Sequence, residues 1–206
     1  MLKRRTALTL IAAATIVASP AHAAAAEDAS APIRAFNTAL LAIMRAGKAT
    51  PFAQRFDALA PVADRAFNME ALLQGVIGPS WASQPDADKD ALRREFRIFS
   101  IASWVANFDN FAGEEFSLAP APRALPDGAL VVETRFGPPG GKPTTLSYVM
   151  RQGAGPWQAV DVLAEGTISR VAVLRSDFRR VLANGGAAAL VKQLREKNAA
   201  LAAQAS

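Results

Sequence analysis

Asp161 and Glu165 are the two side chains whose types and spacing best fit acid–base chemistry. Two nearby carboxylates can act as an acid and a base when their surroundings push their pKa values apart. The structural alternative is that Asp161 pairs with an arginine and Glu165 satisfies backbone donors at a corner. Ser100, Ser103, Ser169 and Ser176 are possible nucleophiles, but each would need a base. The sole histidine, His22, falls in a leader-like segment, and the chain has no cysteine. Arg170, Arg175, Arg179 and Arg180 form one basic cluster, and Arg93, Arg94 and Arg97 another. Such clusters can meet an anionic headgroup, a membrane surface or an acidic partner. They can equally be solvated helix faces with i,i+4 partners such as Asp90–Arg94.

Residues 1–23 explain why the histidine is unavailable. Lys3, Arg4 and Arg5 precede a short apolar run, and Ala21-His22-Ala23 has the small-x-small form of a cleavage site. These are the marks of a secretory signal peptide, cleaved after about Ala23, and they imply a periplasmic protein. With His22 removed, the mature chain has neither His nor Cys. Catalytic triads, thiol nucleophiles, disulfides and His or thiolate metal sites are then excluded together. No catalytic residue, metal or cofactor is assigned. Three positive charges leave with the segment, so the net charge falls from +5 to +2. An exported, nearly neutral chain has no basic footprint for nucleic acid.

The carboxylates must be positioned by the stretch Thr144–Phe178. Leu146, Tyr148 and Met150 alternate along one expected strand, and Val160, Val162 and Ala164 along the next. Residues two apart share a face, so each strand offers one apolar face. Gly153, Gly155 and Pro156 supply the turn between them. Upstream, Phe116 to Leu118 and Leu130 to Phe136 read as two more strands. GPPGGKP, residues 137–143, is a loop rather than a phosphate cradle, because no helix follows it at the required spacing.

Before the strands, residues 24–30 read as a flexible tail. A helix is expected from Ala31 to Ala46, with Ser30 as cap. A second starts at Phe52 and is interrupted by Pro61. A third is capped by Asn68 and ended by Gly78-Pro79. The longest runs from about Pro85 to Phe108, with Ser83 and Asp86 at capping-box spacing. Its apolar stripe is wide enough to pack on two sides, or to pack on one and face a cavity on the other. After the strands, a helix from about Ile168 breaks at Gly185-Gly186. A last helix, Ala187 to about Ala203, carries a narrow stripe and is expected on the surface. The fold class is α+β: a single domain over 31–203, with N-terminal and C-terminal helices packed on an antiparallel sheet of about four strands.

Trp157, Asp161, Val162, Glu165, Gly166 and Ser169 have the spacing W-x3-D-V-x2-E-G-x2-S, followed by Arg175, Ser176 and Phe178. Upstream lie Gly78 and Trp81 as G-x-x-W, and Tyr148 and Arg151 as Y-x-x-R. In these motifs the chain resembles the MlaC-like, toluene-tolerance family of periplasmic lipid-binding proteins over about residues 31–197. Residues 106–111, ANFDNF, and the Tyr148–Arg151 run resemble its hopanoid-biosynthesis-associated HpnM branch. The chain departs from the family pattern at Ala172, Val173 and Leu174, where relatives often carry polar residues and an aromatic.

The resemblance implies a small curved sheet whose helices enclose an apolar pocket for acyl chains. It implies a carrier of phospholipid or hopanoid that works with an inner-membrane ABC transporter bearing an MCE-type subunit. An outer-membrane lipoprotein complex is a further implied partner. The pocket is expected to be lined on the sheet by Leu130, Val132, Leu146, Tyr148, Met150, Val160 and Val162. Its other wall is expected to be Val76, Ile77, Phe96, Phe99 and Val105. Two other readings remain open. One is a scaffold that organises hopanoid-related membrane machinery without extracting lipid. The other is an NTF2-like or cystatin-like enzyme that uses Asp161 and Glu165 inside the cavity.

Overall fold

Asn68 and Ser169 each cap a helix with a side-chain oxygen, and the turn at residues 153–156 separates two long antiparallel strands. The computed structural model of the chain describes residues 20–205, with side chains from Asp28 onward. The expected leader therefore lies largely outside the described residues. The elements are α1 (Pro20–Ala46), α2 (Phe52–Ala66), α3 (Met69–Ile77) and α4 (Asp86–Asn107), then β1 (Glu115–Leu118), β2 (Arg123–Ala124), β3 (Leu130–Gly137), β4 (Thr144–Gln152), β5 (Trp157–Ala164) and β6 (Ile168–Ser169), and finally α5 (Arg170–Gln204). A 3₁₀ turn, Gly78–Trp81, links α3 to α4. The fold is α+β. The strands form one antiparallel sheet in the order β1-β3-β4-β5-β6, with β2 also on β3. The four principal strands are those expected. The two-residue strands β2 and β6 are too short to carry a period.

Several helix boundaries differ from the sequence reading. α1 extends back through residues 24–30, and Ala29 and Ser30 are buried. Alanine has the best helix propensity, and that run continues the helix instead of ending it. α2 passes through Pro61, because Leu59, Ala60, Ala63 and Ala66 are buried on both sides of it. Packing along that face outweighs the one lost hydrogen bond. Ser83 does not cap α4. Its hydroxyl donates to the Ser80 carbonyl at 3.0 Å, and Pro85 occupies the cap position. Asn68 does cap α3, with Oδ1 accepting from the Ala71 N–H at 2.9 Å. α5 is kinked at Gly186, where φ is +62°, and helix continues on both sides. Its second half is not a loose surface helix: Ala187, Leu190, Val191 and Leu194 are buried. Arg195 holds Glu95 of α4 at 2.8 Å.

The register sorts the inner face of the sheet into rows. Leu130 faces Met150, which faces Ala159. Next come Val132, Tyr148 and Val162, then Thr134, Leu146 and Ala164. A β-bulge on β5 falls at Val160, because Val149 pairs with Asp161 and Met150 with Ala159. The extra residue resets the period, so the inward residues of β5 are Trp157 and Ala159, then Val162 and Ala164. Val160, expected to share a face with Val162, takes the extra position instead. α1 packs on β3 and β5, so the first row is core.

Candidate functional site

Leu146 and Ala164 of the third row, with Tyr148 and Val162 of the second, face a cavity. Its volume is about 320 Å³. Phe36 and Leu40 of α1 and Phe67 close its inner end. Leu72 and Val76 come from α3. Phe96, Phe99, Ser100, Ser103, Trp104 and Asn107 come from α4, with Phe108 just beyond it. The sheet contributes Leu146, Tyr148, Val162 and Ala164. Ile168, Arg170, Val171, Val173 and Leu174 complete the wall at the start of α5. An edge-on aromatic cluster braces the inner end. Phe36 lies 4.8 Å from Phe67 and 5.0 Å from Trp104, between ring centres.

Of the residues expected to line a pocket, Val76, Phe96, Phe99, Leu146, Tyr148 and Val162 do so. Leu130, Val132 and Met150 do not; they are buried in the core beneath α1. Ile77 and Val105 are likewise core. The Val105 carbonyl accepts from Arg55, a buried arginine that also donates to the carbonyls of Thr50 and Ala205. Val160, at the bulge, is off the lining too. Sequence reasoning missed the contributions of α1, of Phe67 and of the first turns of α5. The apolar triplet Ala172-Val173-Leu174 was the available signal for the last of these.

The polar groups of the lining are mostly committed. Ser103 Oγ donates to the Phe99 carbonyl and Asn107 Nδ2 to the Ser103 carbonyl, each at 2.7 Å. The Tyr148 hydroxyl shares a hydrogen bond with Thr134, and burial pushes its phenol well above its ordinary value of 10.0. It therefore stays a neutral phenol in the folded chain.

The carboxylates lie elsewhere. Asp161 Oδ1 accepts from the Val162 and Val171 N–H groups at 2.8 and 3.1 Å, and its Oδ2 from Ser169 Oγ at 2.5 Å. Ser169 Oγ in turn accepts from the Ala172 N–H at 3.0 Å. Asp161 is thus a fastener for the start of α5 rather than an arginine's partner. Glu165 is exposed in the tight turn before β6, with φ of +50°. Neither lines the cavity, which removes the geometry an acid–base pair would need.

Three of the seven clustered arginines, Arg93, Arg97 and Arg175, make structural ties. Arg93 bonds Glu70 and Asp90 and lies over Trp81. Asp90 therefore pairs with Arg93, not Arg94. Arg97 clasps Asp64 with two bonds, at 2.8 and 2.6 Å. Arg175 Nε donates to the Gly75 carbonyl at 2.7 Å. Four residues after Gly75 stands Pro79, which has no N–H to offer that carbonyl, so the guanidinium replaces it.

What remains is a mostly hydrocarbon-lined cleft suited to solvating an apolar chain. Among the described residues, no group of His, Cys, Asp or Glu is placed to hold a metal ion. No described helix is long and apolar enough to cross a membrane.

Comparison with known proteins bears on this cleft. A sequence profile described as MlaC protein matches residues 34–196. Among solved structures, the chain is similar to the phospholipid-binding protein from Ralstonia solanacearum, determined in complex with a phospholipid. Sequence identity is 20% and the TM-score 0.73, over 85% of this chain and 99% of that one. At that identity the likeness establishes the fold. No curated protein matches.

Proposed function

This chain belongs to the MlaC family, and from that premise we propose that it is a periplasmic lipid-binding carrier. One observation carries the reading: the cleft of about 320 Å³ whose wall is mostly apolar side chains from α1, α3, α4, α5 and the sheet. The Ralstonia solanacearum protein of the same fold holds a phospholipid. A two-chain lipid has about 30 methylenes, and at roughly 0.8 kcal/mol each its tails favour an apolar site over water by ~24 kcal/mol. Transfer through an aqueous compartment without a carrier is therefore slow, and the task needs a cleft rather than catalysts.

The wall we assign to the lipid tails is Val76, Phe96, Phe99, Leu146, Tyr148 and Val162, extended by Phe36, Leu72, Trp104 and Leu174. The cargo is a phospholipid or a hopanoid. The donor or acceptor is an inner-membrane ABC transporter with an MCE-type subunit, and an outer-membrane lipoprotein complex stands at the other end. Residues 1–23 act as the export signal, and the mature chain then begins within α1.

Native mass spectrometry of the mature protein from its own periplasm, with solvent extraction of the bound material, tests the reading. A stoichiometric lipid is the expected result. A clean apo mass, together with no uptake from labelled vesicles, would refute it in favour of a non-extracting scaffold.

A further inference from the structure

Among the described residues, Arg170 is the only charged side chain that lines the cleft. It is exposed, and among the described residues it makes no ion pair or hydrogen bond. Ile168 and Val173, apolar lining residues close to it in sequence, stay 54% and 38% exposed. These three residues therefore mark the open rim, where a hydrocarbon wall gives way to water around a single cation. That is the arrangement an amphiphile needs at the junction of its tails and its head.

Stability does not account for the arginine. It stands at the first position of α5, where the helix dipole disfavours a cation. Two N–H donors of the helix terminus are already taken. Asp161 accepts from the Val171 N–H, and Ser169 from the Ala172 N–H. Asp161 also accepts from Val162 and Ser169, so Oδ1 already holds two donors and Oδ2 one. Across the cleft, the Ser103 hydroxyl and the Asn107 amide donate to their own helix. The guanidinium is the cationic donor left for a ligand.

Resting on the carrier reading above, we propose that Arg170 reads the headgroup. It selects amphiphiles with a phosphate at the head–tail junction over neutral lipids with the same tails. A guanidinium offers paired N–H donors in a fork that matches two phosphate oxygens, and such charge-assisted bonds are the stronger ones. Of the two cargo classes, this favours the phosphate-bearing lipid over a neutral hopanoid.

The test offers the mature protein two lipids with identical acyl chains, phosphatidylglycerol and diacylglycerol, in neutral detergent micelles. Micelles without charge remove any attraction to an anionic surface. Bound lipid is counted by mass spectrometry after re-isolation. Wild type should prefer the phosphatidylglycerol by about tenfold or more, the size of one charge-assisted hydrogen bond. Arg170→Gln should bring the two lipids near parity with diacylglycerol uptake and melting temperature unchanged, and Arg170→Lys should restore part of the preference. An unaltered preference in Arg170→Gln would overturn the proposal while the cleft stood, as would an equal loss of both lipids. A lowered melting temperature would also overturn it, because the arginine would then be structural. Equal protection by tail-free glycerol phosphate would reassign the site to free phosphate. Uptake of neither lipid by wild type would sink the carrier reading itself.

Discussion

Filling the cleft from the sheet side gives the sharpest check on its assignment. Val162 faces Tyr148 across β4–β5 and lines the cleft. Val162→Trp adds about seven heavy atoms there and should displace roughly five methylenes of any bound chain; at ~0.8 kcal/mol each the loss is ~4 kcal/mol, about a thousandfold in affinity. The indole enters space that is open, so overpacking is avoided and the melting temperature should hold or rise. Two neighbours serve as controls. Val160→Trp, at the bulge and off the lining, should keep its lipid. Val132→Trp, in the same row but buried, should cost ~1–3 kcal/mol through overpacking, a fall of roughly 2–4 °C per kcal/mol in a domain of this size. Native mass spectrometry and scanning calorimetry on the three variants read both quantities. A Val162→Trp protein that retains stoichiometric lipid would refute the assignment, as would a Val160→Trp protein that loses as much.

Asp161→Ala strips the acceptor from Val162 N–H, Val171 N–H and Ser169 Oγ. It should destabilise by about 2–3 kcal/mol and speed hydrogen exchange at Val171 and Ala172; an unchanged melting curve would contradict the fastener role. Tyr148 is the sole tyrosine, and burial raises its phenol above the ordinary 10.0. A raised folded value gives stability that is whole below pH 10 and lost as pH rises beyond it. Phenolate absorbance should therefore appear only together with alkaline unfolding, and gradual ionisation of a folded chain would count against burial. The hydrogen bond from Arg93 holds the Glu70 carboxyl below its ordinary 4.5. That stability is present above pH 4.5 and lost as pH falls through the lower folded value, so Glu70→Gln should flatten the acid limb of the melting-temperature profile.

How much of this was legible depended on which forces dominate each element. The β4–β5 hairpin was readable because one face is buried and the turn residues are Gly and Pro, so period and punctuation agree. The cap at Asn68 was readable because a side chain makes it. The passage of α2 through Pro61 was not, because it depends on Leu59, Ala60, Ala63 and Ala66 finding partners far away in sequence. The bulge at Val160 left no mark either. Val160, Val162 and Ala164 alternate in sequence, yet only the last two share the cleft face. Only half of the residues expected on the lining face the cleft, for a related reason. An apolar face says that a residue is covered, but not whether α1 or a void covers it. Leu130 and Leu146 read alike in sequence and differ only in what lies above them.

The rim of the cleft is held by polar ties, and this bears on how the fold can keep a void at all. A rigid, dry void of this volume would cost roughly 8 kcal/mol at ~24 cal/mol per Å³. That is within the range of a whole domain's stability, about 5–15 kcal/mol. Side-chain packing alone would favour collapse of α3 and α5 onto the sheet. The ties oppose it. Asp161 anchors the first turn of α5 to β5, and Arg175 bridges α5 to the Gly75 carbonyl of α3. At Gly75 the two helices already touch: an added Cβ would meet Val171 Cγ1 at 2.8 Å. α3 and α5 thus brace each other at one contact, while Val171 still presents a side chain to the lining. The motif residues Asp161, Ser169 and Arg175 therefore act as the frame of the cleft rather than as its lining. The lining can then vary without loss of the frame that keeps it open.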